Sequence, residues 1–407
     1  MNRLFVKKIK IGIAAFCCSA ALVSCSKWDD FKKYTEGGEI VYTGKMDSVV
    51  VFGGKKRVRL IGKIKGDPKI VKARIYWNDL RDSVTFDIAP SGSVRVFDQI
   101  FAVDEGTKSF TVFTYDAAGN ASVSVSSIGT VYGDLYQRSL SNRDIADAVY
   151  KTDGSLLIRW ADVNSNSGIV KMQIKYMDKL SNMHDTLVTS FPTGLGGALL
   201  ESSLPNYKAG SSFSYRTAYL PNPTAIDTFY VDYKTHKAID VTSLYLTNTG
   251  PFTRAPNSGT GRFGNLGAPW ITSANIKNHG GVGGFATDNG GSIVMEMGWG
   301  GTASFTNGKI YQAITLPAGN YMFQVVNYNE TVDPVYILAA AGTGLPDISN
   351  ISSALGFTTF TPNLRADETI KFQFTLTQPQ NVSLGFLATM VTGNQYWRVT
   401  SVKLYTN

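Results

Sequence analysis

The sequence predicts an all-β chain: two β-sandwiches in tandem followed by a β-jelly roll. Three observations predict it. From Ile40 onward, apolar residues recur with period two, the spacing of a strand with one buried face. Gly, Asp, Asn and Pro break these runs at intervals of about 8–12 residues, as in sandwiches. The last 160 or so residues carry seven longer alternating runs, the number and length that suit a jelly roll.

Taken in order, the chain opens on Met1–Asp30. Arg3, Lys7, Lys8 and Lys10 make a basic start with no acid among them, and Ile11–Leu22 is a short apolar run. A basic segment, a short apolar segment and small residues at the cut describe a secretory signal. The run is well short of the ~20 residues that span a bilayer as a helix. Leu22-Val23-Ser24-Cys25 follows. It resembles the lipobox of bacterial lipoproteins, which implies cleavage before Cys25 and acylation of that residue. Ser26-Lys27-Trp28-Asp29-Asp30 places acids just after the cysteine, and resembles the surface-export signal of Bacteroides-type lipoproteins. Residues 1–24 are therefore expected to be the signal peptide, and 25–35 a lipidated tether.

Loss of the four basic residues would leave 35 Lys/Arg against 31 Asp/Glu, a net charge of +4. No basic cluster beyond Lys55-Lys56-Arg57 is visible, so no nucleic-acid partner is expected. The cysteines are Cys17, Cys18 and Cys25. The folded part then has no thiol for a disulfide, a metal site or a nucleophile.

Residues 36–128 are read as the first sandwich. Val58, Leu60 and Ile64, Val71–Trp77 and Ser83–Ile88 are its strands, and Gly53-Gly54, Gly66-Asp67-Pro68 and Ser91-Gly92 its turns. Phe110–Tyr115 followed by Asp116-Ala117-Ala118-Gly119-Asn120 forms the last hairpin. That turn resembles the F–G corner of bacterial immunoglobulin-like and fibronectin type III domains. Residues 129–240 are read as a second, fibronectin III-like sandwich, entered through a connector with a short helix near Asp144–Tyr150. Leu156–Trp160 and Ile169–Tyr176 are strands, with Trp160 facing Tyr176 in the core. Phe213–Thr217 and Asp227–Val231 complete it. Trp77 and Tyr215 are also assigned to cores.

Residues 245–407 are read as the jelly roll. Fifteen of the forty glycines lie between Gly250 and Gly308, a density that predicts long surface loops rather than core. Strands are expected at Gly291–Gly298, Lys309–Leu316, Asn320–Tyr328, Val335–Ala339, Glu368–Thr377, Asn381–Ala388 and Tyr396–Tyr405. Ile310-Tyr311-Gln312, Leu316–Tyr321 and the ending Tyr396–Tyr405 resemble galactose-binding-like modules, the fold of many carbohydrate-binding modules. As a whole, the order of anchor, two Ig/fibronectin III-like sandwiches and terminal jelly roll resembles Bacteroides-type surface lipoproteins that accompany polysaccharide-utilisation systems. The resemblance implies an outer-membrane, cell-surface location, a polysaccharide or oligosaccharide as ligand, and an outer-membrane glycan transporter complex as a candidate partner. It carries over no binding residue.

Catalytic motifs are sparse. Gly281-Val282-Gly283-Gly284-Phe285-Ala286 fits the letters of a dinucleotide fingerprint, but loop sequence flanks it on both sides. His184, His236 and His279 are scattered, which argues against a histidine metal cluster or a triad. Glu296 with Asp288 or Glu330 is a conceivable glycosidase pair, though surface acids are the simpler reading. No enzyme activity and no cofactor are expected. A structural calcium stays open, although the sequence has no dense acidic loop.

Between Tyr245 and Asn407 there are eight Lys/Arg and seven Asp/Glu, a balance suited to an uncharged ligand. Sugars present apolar C–H faces and a rim of hydroxyls, met by aromatic platforms with polar groups at the edge. Trp299, Trp270, Tyr328 and Tyr396 are the candidate platforms. Asp288, Asn289, Asn327, Asn329, Asn394 and Arg398 are the candidate polar partners. Trp299 is best placed, because Gly298 and Gly300-Gly301 would lift it out of a strand. The reading is a non-catalytic glycan-binding surface lipoprotein with the sandwiches as spacer. The alternatives are a structural or adhesive protein that binds other proteins through its sandwiches, and a hydrolase with an unusual carboxylate pair.

Overall fold

The computed structural model describes residues 42–164, 167–189, 200–277 and 279–406. The expected signal peptide, 1–24, and the expected lipidated tether, 25–35 with Cys25, lie outside the described residues. The described chain is all-β, as the alternation predicts. No described helix is long and apolar enough to cross a membrane.

The described residues divide into two compact units. The first runs to Tyr136 and includes Thr224–Asp227. Its strands are β1 Met46–Gly53, β2 Arg57–Ile64, β3 Ile70–Trp77, β4 Asp82–Asp87, β5 Arg95–Ala102, β6 Gly106–Asp116 and β7 Val125–Val131. They form two sheets, β1-β2-β5 and β4-β3-β6-β7. Val58, Leu60, Ile75, Phe110 and Val112 fill the space between them, and half-buried Trp77 packs on Phe101 at 5.6 Å. The predicted corner is present: Asp116 accepts bonds from the backbone and side-chain nitrogens of Asn120, both at 2.8 Å. Gly119 supplies the left-handed residue there, with φ +88°. Asp227 joins this unit by accepting bonds from Arg57 Nε at 2.9 Å and from the Lys55 backbone at 2.7 Å.

The second unit holds Gln137–Pro223 and the chain from Thr228. The expected helix near Asp144–Tyr150 is a strand instead, β8 Ile145–Tyr150, paired with β9 Leu156–Trp160. Ala148 and Tyr150 point inward and alternate with half-buried neighbours, a period of two that no helix can satisfy. A helix, α1 Asp134–Ser139, lies upstream. Strands β10 Ile169–Met177, β11 Met183–Val188, β12 Glu201–Leu204, β13 Phe213–Tyr219, β14 Phe229–Tyr230 and β15 Lys234–His236 follow. The sheets are β12-β9-β8 and β11-β10-β13-β14, with β15 also on β13. Trp160 and Tyr176 are both core residues, but the ring beside Trp160 is Tyr215, edge-on at 5.2 Å. Tyr176 stacks on Tyr207 and His184 instead.

The C-terminal strands are β16 Phe263–Asn265, β17 Ile271–Thr272, β18 Gly284–Ala286, β19 Ser292–Met297, β20 Phe305–Leu316, β21 Gly319–Glu330, β22 Val335–Ala341, β23 Gly356–Thr359, β24 Glu368–Leu376, β25 Gln380–Met390 and β26 Gln395–Thr406. They form two facing sheets, β16-β18-β19-β26-β21-β24 and β17-β20-β25-β22-β23. All seven expected runs are strands. The glycine-rich stretch departs from expectation: Gly283–Ala286 is buried and Phe285 belongs to the core. The glycines serve close backbone packing there. A Cβ on Gly291, at φ +129°, would sit 2.1 Å from the Phe252 carbonyl oxygen.

Within this unit the second sandwich and the jelly roll share one hydrophobic cluster, from Ala148 to Leu404. Residues 239–242 stitch them together. Asp240 exchanges backbone bonds with Ala148 and Tyr150 at 2.8 and 2.9 Å, while Val241 donates to Leu404 and Thr406 to Ile239, both at 2.9 Å.

Candidate functional site

The site lies on the outer face of the six-stranded sheet, and strand alternation builds it. Along β26, Trp397, Val399 and Val402 face the core. Tyr396, Arg398 and Thr400 therefore face outward. β21 is paired with β26, and Tyr328 lies opposite Arg398. These residues line a cleft of about 530 Å³ with Asn289, Ala366 and Asp367. Four of the ten residues singled out from sequence thus meet in one cleft: Tyr328, Tyr396, Asn289 and Arg398.

The aromatic rings form a short row. The Tyr328 and Tyr396 centroids are 5.9 Å apart, and Trp299 stands edge-on to Tyr396 at 5.5 Å. Trp299 is 36% exposed. Gly298 at φ +91°, Gly300 at +65° and Gly301 at +78° turn the chain sharply around it, and the Gly298 backbone closes the loop on Thr302 O at 2.9 Å. The Arg398 guanidinium lies over the Tyr396 ring, 4.6 Å from its centre. Burial, then a hydrogen bond with Tyr328, pushes the Tyr396 phenol up to about 12. It therefore stays neutral at ordinary pH and is available as a hydrogen-bonding group.

Asp288 sits behind this wall. It pairs with Arg262 at 3.1 Å and with Arg398 at 3.7 Å. Burial raises its carboxyl, but the Arg262 bond and the two arginine charges outweigh that and hold it below the ordinary value. Both its oxygens accept from Arg262, at 3.1 and 3.2 Å, and it does not line the cleft. Glu296 is 8% exposed. Burial pushes its carboxyl up against the opposing charges of Arg262 and Arg398. Glu330 is taken by Arg365. None of these three carboxylates lines the cleft.

Four further candidate residues lie off the cleft lining. Trp270 is core, 6% exposed: its ring stacks on Phe386 at 6.1 Å and its Nε1 donates to the Asn248 carbonyl at 2.7 Å. An indole with its nitrogen satisfied by backbone and its face on a core phenylalanine is no platform. Asn327 is fully buried, accepting a bond from Asn329 Nδ2 at 2.8 Å. It neighbours Tyr328 on β21, so the two side chains leave opposite faces. Asn329 shares its buried face, and Asn394 lies against Gly298.

Arg262, Asp367 and Thr400 are not among the binding candidates that the sequence suggests. Thr400 had a signal, since it is two residues beyond Arg398 on one strand. Arg262 and Asp367 reach the site from loops, which carry no period. Among the described residues, no group of three His, Asp or Glu is placed to hold a metal ion.

Fold and cleft together define a β-sandwich protein with an aromatic, polar-rimmed cleft on an outer sheet face. A family model described as a domain of unknown function, DUF4998, matches residues 25–229, just over half of the chain, and the chain belongs to that family. A second model, DUF5013, also described as a domain of unknown function, matches residues 247–385. No curated protein matches. Similar solved structures include the carbohydrate-binding module TmCBM61 in complex with beta-1,4-galactotriose, at 13% identity and TM-score 0.25, over 40% of this chain and 98% of that one. Another is the K3 adhesin domain of Lys-gingipain from Porphyromonas gingivalis, at 14% identity and TM-score 0.26, over 34% and 92%. A third is a two-domain fibronectin type III segment of chicken tenascin, at 10% identity and TM-score 0.20, over 47% and 97%. These likenesses are too remote to bear on ligand or activity, and the architecture rests on the sheets themselves.

Proposed function

We propose that the chain is a non-catalytic surface lipoprotein of the outer membrane that captures a glycan in the cleft of its jelly roll. The cleft carries the reading. Tyr328, Tyr396 and Trp299 offer ring surface for the C–H faces of a sugar, while Asn289, Asp367, Arg398 and the two phenols offer donors and acceptors for its hydroxyls. The volume falls within the range of small-ligand sites. Binding without hydrolysis is supported because Asp288 and Glu330 are held by arginines and Glu296 is buried, so among the described residues Asp367 is the one carboxylate on the cleft lining, where glycoside hydrolysis uses a pair. The anchor at Cys25 rests on the Leu22-Val23-Ser24-Cys25 sequence, and a glycan transporter in the same membrane is the partner this function calls for. Affinity electrophoresis of the full chain on a panel of neutral polysaccharides tests the binding. Retardation by at least one polymer is expected, and retardation by none would overturn the proposal. Incorporation of labelled palmitate, lost in Cys25→Ser, tests the anchor separately.

A further inference from the structure

The second sandwich carries a cationic face that the cleft does not explain. On β10, Met172, Ile174 and Tyr176 are core residues, so Lys171, Gln173 and Lys175 share the outer face of the sheet. Arg216 on β13 lies opposite Gln173. Its guanidinium carbon is 4.3 Å from the centre of the Tyr230 ring and 4.6 Å from that of Tyr233. Lys171 caps Tyr230 at 5.0 Å and Lys175 caps Tyr233 at 4.7 Å. Three cations are therefore held on two rings.

Among the described residues one carboxylate, Asp185, approaches them. Asp185 stands 4.0 Å from Lys175, the limit of an ion pair, and both its oxygens accept bonds from the Gln173 amide at 2.8 and 2.9 Å. Among the described residues no carboxylate pairs with Lys171 or Arg216. Arg216 uses Nε on Gln173 Oε1 at 2.9 Å, and among the described residues its two terminal nitrogens have no acceptor. Ring contacts fix long side chains that would otherwise lose rotamer freedom on binding, so the charges are arranged in advance.

We propose that this face is a second binding site, independent of the jelly-roll cleft, for a polyuronate: a polysaccharide bearing regularly spaced carboxylates. Lys171 and Lys175 are four residues apart on one strand, about 13 Å, and Arg216 lies between them on the next strand. A single small anion cannot reach all three cations, whereas an extended chain with a carboxylate on successive units can. The free fork of Arg216 matches a planar carboxylate. The tyrosine faces are occupied by cations, so the site reads charge rather than C–H faces. All three cations are half-buried against rings instead of projecting, which suits a single polymer chain over a lipid leaflet.

Affinity electrophoresis of the full chain in polygalacturonate gels tests this. Retardation is expected at about 50 mM NaCl and should fade by about 300 mM, as screening requires. The Lys171→Gln/Lys175→Gln variant should bind at least about tenfold more weakly, with unchanged retardation in neutral polysaccharide gels. Tyr396→Ala, placed in the cleft, should retain polyuronate binding, which separates this site from the glycan-capture reading. The proposal is overturned by any of four results: no retardation of wild type; retardation indifferent to salt or to the double variant; loss on Tyr396→Ala instead; or binding to phosphatidylserine vesicles or dextran sulfate without binding to polygalacturonate.

Discussion

Arg398 lies over the ring of Tyr396, two residues before it on β26, with its guanidinium carbon 4.6 Å from the ring centre. The residue between them, Trp397, points the other way and is fully buried against Phe386 and Phe360. One strand thus supplies the cleft on one face and the core on the other, and the two tryptophans of this region should respond differently to truncation.

Trp397→Ala should destabilise the second unit by about 3–5 kcal/mol, the usual cost of emptying a large buried aromatic site. Trp299→Ala, at the rim, should cost less than about 1 kcal/mol while weakening glycan retention. Urea unfolding of both variants beside affinity electrophoresis checks the contrast. Equal destabilisation would place Trp299 in the core after all.

The loop that presents Trp299 depends on Gly298. A Cβ there would meet Asn394 Oδ1 at 2.1 Å, on a backbone at φ +91°, where non-glycine residues are strained. Gly298→Ala should lower glycan affinity several-fold with little loss of secondary structure by circular dichroism. Gly300→Ala, with open space around its Cβ but φ +65°, should show the smaller effect of backbone strain alone.

The shared core predicts that the second sandwich and the jelly roll unfold together. Deleting 245–407 strips the partners of Ile239 and Val241 and removes the β26 carbonyl that Val241 donates to. Calorimetry of the full chain should show one transition covering both sandwich and jelly roll, and the deleted chain should lack a folded second sandwich. Separate transitions for the two would contradict the common core.

Acid sensitivity is expected at the β10–β11 turn. Asp178 accepts bonds from His184 Nε2 at 2.8 Å, from Asn182 N at 2.8 Å and from Leu180 N at 2.9 Å. The His184 bond and then the Asn182 backbone bond lower its carboxyl from 3.8 to about 2. A depressed folded value means the ionised form stabilises the fold fully above the unfolded value, and the benefit disappears as pH falls through about 2. The difference in Tm between wild type and Asp178→Asn should be level above about pH 5 and shrink toward pH 2. A difference that grows on acidification would reverse the sign and contradict this account.

Much of the fold was legible because alternation is a one-dimensional signal. The long strands β19–β22 and β24–β26 were visible as runs, and the same parity makes Tyr396 and Arg398 neighbours. The same parity puts Asn327, next to Tyr328 on β21, on the opposite, buried face. The short strands β16–β18 were hidden because glycine carries no side chain to alternate: Gly283 and Gly284 are core backbone, not loop surface. Trp270 was misplaced because its location depends on Asn248 and Phe386, distant partners that no local pattern shows. Arg262 and Asp367 arrive on loops for the same reason.

The most direct test of glycan capture in the cleft is isothermal titration of a retarding neutral polysaccharide into wild type and Tyr396→Ala, with Tm as the control for folding. Loss of at least about tenfold in affinity, with Tm nearly unchanged, is the predicted result, since Tyr396 contacts Tyr328, Trp299 and Arg398 at once. Wild-type affinity in Tyr396→Ala would contradict the account, because the ring that joins both halves of the site would then be idle.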